Sequence, residues 1–262
     1  MASTGRDILA AARRSELTLC QQVSQWEPLS FAVAHRSTAF PHAFEANQLR
    51  EVWLADVDGE DAYEQCEDYY RRFGAVCRAW SPAEAQDPTP VAEVLEGRGW
   101  RSVELAALGM AHPAADRAAE PPANLRILPA RAMRKAFAAT FGEGPECAEA
   151  AKLAEARLDD SSHDVFVATL DGVPAGRVGY LQAGDVGRLS DLFVCAEHRG
   201  RGVGRAMMTH FSHWARRLLP RIIVACADAS DEYAVRFLEK CGFSAGGSLI
   251  RFVRPDSSAA AG

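Results

Sequence analysis

Apolar and polar positions in the C-terminal half fall into short runs of two kinds. "NLRIL" (124–128), "VGRLSDLFVC" (186–195), "RIIVACA" (221–227) and "SLIRFVR" (248–254) are brief and rich in branched residues, so they read as strands. "DVFVATLDGVPAGRVGYLQ" (164–182) reads as two strands around a turn at Asp171-Gly172. "ARAMRKAFAATF" (130–141), "CAEAAKLAEARL" (147–158), "GRAMMTHFSHWARRLL" (204–219) and "DEYAVRFLEKCG" (231–242) carry helical spacing. Pro220 stops the third of these and Gly242 suits the end of the fourth. The predicted order is β-α-α-β-β-β-α-β-α-β, a mixed α/β layer.

The N-terminal half is less regular. "LSFAVAHR" (29–36), "GAVCRAW" (74–80) and "WRSVELAALGM" (100–110) read as strands, "EDAYEQCEDYYRRF" (60–73) and "PVAEVLEGRG" (90–99) as helices. "LEGRGW" (95–100) echoes "LEKCGF" (238–243), each between candidate elements of the same kinds, which points to a duplicated fold. "HPAADRAAEPPAN" (112–124) has little to bury and reads as a linker. The expected division is therefore an N-terminal domain over 1–112, a linker over 113–124, a C-terminal domain over 125–255 and a frayed tail over 256–262.

Composition narrows the function classes. The chain of 262 residues is 48% hydrophobic and 24% charged, ordinary for a soluble globular protein. A net charge of −6 argues against bulk nucleic-acid binding. The seven cysteines are scattered and never form a CxxC pair, so neither a disulfide framework nor a metal site is expected, and the context reads as reducing and cytoplasmic. No stretch is long and apolar enough for a membrane helix, and the polar start is unlike a signal peptide.

The chemistry concentrates in "EHRGRGVGRA" (197–206), where R-x-x-G-x-G joins a predicted strand to a predicted helix. At such a junction unpaired backbone N–H groups and the helix dipole favour an anion. Glycines let the anion approach, and Arg199, Arg201 and Arg205 add charge. The loop is neither a Walker loop nor a dinucleotide fingerprint. A glycine-rich turn with solvated arginines is the plainer alternative.

"LFVCAEHRGRGVGRAM" and "DEYAVRFLEKCGF", in this order and separation, resemble the GNAT acyltransferases, the acetyl-CoA-dependent N-acetyltransferase superfamily, over about residues 125–254. The half before the linker, which lacks the loop, resembles the degenerate partner of a tandem GNAT arrangement. The resemblance implies a GNAT-like α/β fold of mixed sheet in two tandem GNAT-like domains, and acetyl-CoA as cosubstrate. Its pyrophosphate would sit on the backbone of Arg199, Gly200, Arg201, Gly202, Val203 and Gly204, with Arg205 beside it, and its pantetheine along Leu192, Phe193 and Val194. A backbone N–H near Val194 would polarise the acyl carbonyl, and a primary amine would attack directly. Asp191 is the candidate base, Glu197 a weaker one, and each could equally be a surface carboxylate. The tyrosine that family members carry as general acid is Leu238 here. Tyr180 and Ser230 are the remaining candidate acids, and Tyr233 is expected to pack at its helix start. Asp231 replaces a family asparagine and would repel a phosphate. The acceptor would be a small-molecule or peptide amine, with no nucleic-acid or membrane partner and with a homodimer open. A catalytically weak or inactive acyl-CoA-binding regulatory or scaffold protein is the alternative, and a fold kept only for partner binding is a third.

Overall fold

The computed structural model describes residues 4–84, 87–111 and 120–255, so most of the expected linker (112–119) and the tail (256–262) lie outside the described residues. In chain order the elements are α1 (Gly5–Gln21), β1 (Gln25–Pro28), β2 (Val33–Arg36), β3 (Gln48–Val52), α2 (Gly59–Arg72), β4 (Ala79–Pro82), α3 (Thr89–Glu96), β5 (Arg101–Met110), β6 (Leu125–Pro129), α4 (Arg134–Ala139), α5 (Pro145–Arg157), β7 (His163–Leu170), β8 (Val173–Ala183), β9 (Val186–Val194), α6 (Val203–Leu218), β10 (Ile222–Asp228), α7 (Glu232–Lys240) and β11 (Ser244–Val253). Among the described residues no helix is long and apolar enough to cross a membrane.

The chain divides into two compact units. The larger holds Met1–Thr18, Ala106–Ala227 and Asp231–Gly247, the smaller Leu19–Leu105, Asp228–Ser230 and Ser248–Gly262. This differs from the expected 1–112 and 125–255 division at both ends of the chain. The start of the chain belongs to the larger unit, because α1 buries Ile8, Ala11, Ala12 and Ser15, one helical face, within it. Ile8 occupies space left by two glycines of that unit, where a Cβ on Gly109 or Gly246 would come within 2.6 and 2.4 Å of its side chain. Arg188 on β9 pairs with Glu16 on α1 at 2.5 Å, both side chains nearly buried. The end of β11 belongs to the smaller unit, since Phe252 and Val253 pair with Trp80 and Ala79 on β4.

In the larger unit the strand order is β5-β10-β9-β8-β7-β6. The hairpin between β7 and β8 turns at Asp171 and Gly172, at φ 54° and 82°, as the sequence predicts. A core of Phe166, Val178, Met207, Phe211, Ile223 and Phe243 packs α6 and α7 on the sheet. In the smaller unit the order is β1-β2-β3-β4-β11, and Trp80 lies at the centre of its core, 5.9 Å from the Phe31 ring and 6.3 Å from the Trp100 ring.

Five elements differ from expectation. The helix over 130–141 breaks at Met133 (φ −128°, ψ 38°) into a 3-10 turn and the short α4. The strand expected over 74–80 begins at Ala79, because Gly74 is left-handed at φ 64° and Val76 bonds instead to Pro41 O. Finally α1, β1 and β3 carry too little apolar periodicity to read: β1 is exposed along its length and the buried α1 face is half alanine and includes a serine.

Candidate functional site

β9 is where the larger unit's sheet opens. It runs parallel to β10 for three registered pairs, Val186–Ile222, Gly187–Ile223 and Arg188–Val224, and no pair follows. On its other side β9 stays paired with β8 to Val194, but the register shifts between Arg177 and Gly179. Asp191 and Leu192 oppose Val178 alone, a β-bulge, and Asp191 takes the left-handed φ of 53°. The bulge bends the strand away from the line of β10. Cys195 N–H donates to Ala175 O at 3.0 Å. By the alternation of an antiparallel ladder, Val194 and Gly176 are then a non-hydrogen-bonded pair whose N–H and C=O point away from β8. The Val194 carbonyl follows this geometry, accepting from Arg199 Nε at 3.1 Å. Its N–H points to the side on which β10 no longer pairs.

A 3-10 turn, Ala196–His198, leads into the loop. Gly200 (φ 73°) and Gly202 (φ 84°) are left-handed. Gly202 is the N-cap of α6, and no side chain caps it. The first bond into the helix is Ala206 N–H to Gly202 O, so the amides of Val203, Gly204 and Arg205 are the free donors of the first turn. No acidic residue lies in that turn. The third glycine is a packing glycine: a Cβ on Gly204 would meet Val194 at 3.4 Å and Phe237 at 3.5 Å. Arg199, Arg201 and Arg205 are exposed, and Arg201 Nη1 lies 3.3 Å from His198 Nδ1. Leu192, Phe193 and Val194 are half-buried along the opened stretch.

Asp191 lies at the mouth of that opening, its side chain 17% exposed, with Oδ2 3.3 Å from His163 Nε2 on β7. The same nitrogen is 2.8 Å from Ser190 Oγ. One nitrogen serving both groups differs from a nucleophilic triad, in which opposite ring nitrogens face the serine and the acid. Burial pushes the Asp191 carboxyl up, but the His163 hydrogen bond and the charges of His163, Arg157 and Arg177 outweigh it and hold it well below the usual carboxylate range. Arg177 on β8 donates to Thr140 O at 2.8 Å and lies over the Phe141 ring at 3.7 Å and the Phe193 ring at 4.6 Å.

The structure brings Asp191, Leu192, Phe193, Val194 and the 199–205 loop together along one strand and one helix start. It does not bring Tyr180 to them. Tyr180 pairs with Leu189, packs on Phe211 in the core, and donates to Gln182 Oε1. Burial, then the nearby Asp164 charge, pushes its phenol up to about 12. Ser230 lies in the smaller unit and its hydroxyl donates to Asp228 at 2.6 Å. Leu238 is a core residue at 5% exposure. Tyr233 does not pack at the helix start as expected; it is 77% exposed, because it falls on the solvent face of α7. Asp231 caps α7, accepting from Ala234 N–H at 2.9 Å. Glu197 is exposed and Cys195 is buried.

His163, Ser190, Arg157 and Arg177 were not among the residues singled out from the sequence. They sit on three strands and a helix with no shared motif. The one available signal was Gly179, a glycine inside a strand, which marks a close approach.

Residues 130–243 match the family model described as "Acetyltransferase (GNAT) family". Several solved structures share the fold over nearly the whole chain. A protein of unknown function from Staphylococcus epidermidis is 14% identical with a TM-score of 0.68, covering 87% of this chain and 92% of its own. A GCN5-related N-acetyltransferase from Kribbella flavida is 16% identical with a TM-score of 0.64, covering 97% of each. A tandem GNAT protein from the clavulanic acid biosynthesis pathway is 12% identical with a TM-score of 0.56, covering 98% of this chain and 99% of its own. No curated protein sequence matches.

Proposed function

We propose, from the premise that residues 130–243 are a GNAT acetyltransferase domain in a chain of tandem GNAT fold, that the protein transfers an acetyl group from acetyl-CoA to a primary amine. The supporting observation is the coincidence of two openings: a strand edge at Leu192–Val194 that β10 leaves unpaired, and an uncapped helix start at Gly202 beside it. The first suits an extended amide chain, which adds to the edge as another strand would. The second suits a pyrophosphate, held by the amides of residues 199–204 and by Arg199, Arg201 and Arg205. The Val194 N–H is the donor for the thioester oxygen as charge develops there.

The amine nitrogen forms a bond to the acyl carbon as the carbon–sulfur bond breaks. The amine sheds its proton and the departing sulfur gains one, so acyl-CoA and an ammonium become an amide, the free thiol and one released proton. Asp191 is the carboxylate beside this stretch. Held below its usual range it attracts the ammonium and passes the proton on through solvent rather than keeping it. With Leu238 in the core, Tyr180 buried and Tyr233 in solvent, water protonates the sulfur. That absence of a built acid favours a second reading, an acyl-CoA-binding protein with slow or no turnover.

Melting temperature with and without acetyl-CoA tests the first part, because a ligand that binds only the folded protein raises it. A saturable rise, followed by thiol release on adding a panel of amines, is the expected result. A rise with no thiol release from any amine favours the second reading, and no rise at millimolar acetyl-CoA overturns acetyl-CoA as the cosubstrate, leaving a different acyl-CoA or a fold kept without its ligand.

A further inference from the structure

Three polar groups converge where β8 has no side chain. A Cβ on Gly179 would lie 2.3 Å from Ser190 Oγ, 3.1 Å from Asp191 Oδ2 and 3.1 Å from His163 Nε2. Only the bare backbone there lets β7 and β9 bring these groups into one cluster. Two features fix its geometry. Asp191 sits in the left-handed bulge, a conformation that a carboxylate-bearing residue tolerates but that must be held by its surroundings. His163 is 1% exposed, so its ring has no freedom to turn. A bare Nε2 facing a carboxylate at 3.3 Å would be repelled, so Nε2 carries the proton and donates towards Asp191 and Ser190. Nδ1, buried without a hydrogen-bond partner, is then the bare acceptor.

We propose that His163 is a positioning residue for the transfer: its Nε2–H clamps the Asp191 carboxylate in the β9 bulge so that the carboxylate's accessible side faces the incoming acceptor amine. This rests on the acyltransferase reading for its consequence, but the clamp itself is a property of the folded chain. Around the carboxylate, the His163 N–H on β7 and the guanidinium groups of Arg157 on α5 and Arg177 on β8 all favour its ionised form.

The clamp is read first without any substrate. Carbon-13 NMR of the protein labelled in its aspartate carboxyls, with the Asp191 signal assigned through Asp191→Asn, follows the carboxyl from pH 8 to pH 4. In the unaltered protein it stays ionised throughout. In His163→Phe, which fills the ring's space without a donor, its titration moves up by about one pH unit or more, and in His163→Gln, which restores a donor, it returns most of the way. A thermal shift with acetyl-CoA on each variant shows that the fold and the cofactor loop are intact. Should His163→Phe fail to fold, His163→Leu, which also lacks a donor, provides the same reading with a shift in the same direction. An Asp191 titration unmoved in a folded variant, or one already ordinary in the unaltered protein, overturns the proposal.

With an acceptor in hand, His163→Phe raises KM for the amine about tenfold, leaves KM for acetyl-CoA unchanged and moves the acid limb of kcat/KM upward. A purely structural role would instead lower kcat and change both KM values together. If no amine is acetylated, the acyltransferase reading fails while the carboxyl titration still decides whether the clamp exists.

Discussion

The two units bend the corresponding strand with the same kind of residue and then diverge. In the larger unit "RLSDLF" (188–193) puts Asp191 at φ 53°; in the smaller, "QLREVW" (48–53) puts Glu51 at φ 52°. Each bulged strand has a parallel neighbour. In the smaller unit pairing resumes beyond the bulge, at Val52–Pro82, whereas in the larger it ends at Arg188–Val224, before the bulge. The helices that follow differ in the same sense. α2 begins at Asp58, whose carboxylate accepts from Glu60 and Asp61 N–H, and two acids occupy its first turn. α6 begins at Gly202 with no cap and no acid. A duplicated framework therefore has one copy sealed by its own carboxylate and hydrogen bonds and one copy in which the corresponding strand and helix start lack those partners. The bulge is a property of the fold, and what makes a site is which of its donors stay unpaired.

The largest test gives the open copy the feature of the sealed one. Gly202→Asp puts a carboxylate where α2 has Asp58, at a left-handed position that aspartate tolerates at a cost of about 1 kcal/mol. The nearest atom to the new Cβ is Pro122 Cγ at 3.6 Å, an ordinary contact, so the fold survives. Acetyl-CoA affinity measured by calorimetry is expected to fall about a hundredfold. Unchanged affinity in a folded variant would sink the assignment of the loop. Arg199→Ala is expected to lose less, about tenfold, because its guanidinium also holds the Val194 carbonyl.

The units also differ in what acid does to them. His35 on β2 in the smaller unit is fully buried, and burial followed by the Arg50 charge lowers it from 6.5 to about 4. Between those values only the unfolded chain takes up the proton, so stability falls as the pH drops from 6.5 towards 4, by about 3 kcal/mol. Unfolding of this unit, followed through Trp80 and Trp100, is expected to become easier over that window, and His35→Gln is expected to flatten the dependence. An equal slope in the variant would assign the sensitivity elsewhere.

Most of the larger unit was legible because its signals are local. The Asp171-Gly172 turn, the Gly242 cap and the R-x-x-G-x-G loop each declare themselves within a few residues, and each is where the spacing puts it. What escaped depends on partners distant in sequence. The Ile8 face of α1 is built of small residues besides Ile8 and acquires meaning only against Gly109 and Gly246. His163 matters only because Gly179 makes room for it. The two acidic bulges share a Leu-x-acid pattern, but a left-handed φ leaves no mark in composition, so the echo that was visible, "LEGRGW" against "LEKCGF", was the less informative half of the duplication.

A smaller effect tests the sealed copy directly. Asp58→Ala removes the α2 cap and is expected to destabilise the smaller unit by about 1 kcal/mol, with acetyl-CoA affinity unchanged. A weaker affinity would mean that the sealed helix start contributes to the site after all.

The smallest expected effect concerns Tyr233 as a candidate acid for the proposed transfer. Tyr233 lies in the first turn of α7, and its 77% exposure leaves the phenol surrounded by water. Tyr233→Phe removes only the hydroxyl, so stability should move by less than about 0.5 kcal/mol and kcat should stay within a factor of about two of the unaltered enzyme. General acid catalysis by a positioned group contributes about a hundredfold or more, so the two possibilities are well separated. A large fall in kcat with KM for acetyl-CoA unchanged would make the exposed phenol the missing acid, and α7 would then have to move to deliver it. An unchanged kcat leaves the sulfur to water under the proposed transfer, the result expected with Leu238 buried in the core and Tyr233 in solvent.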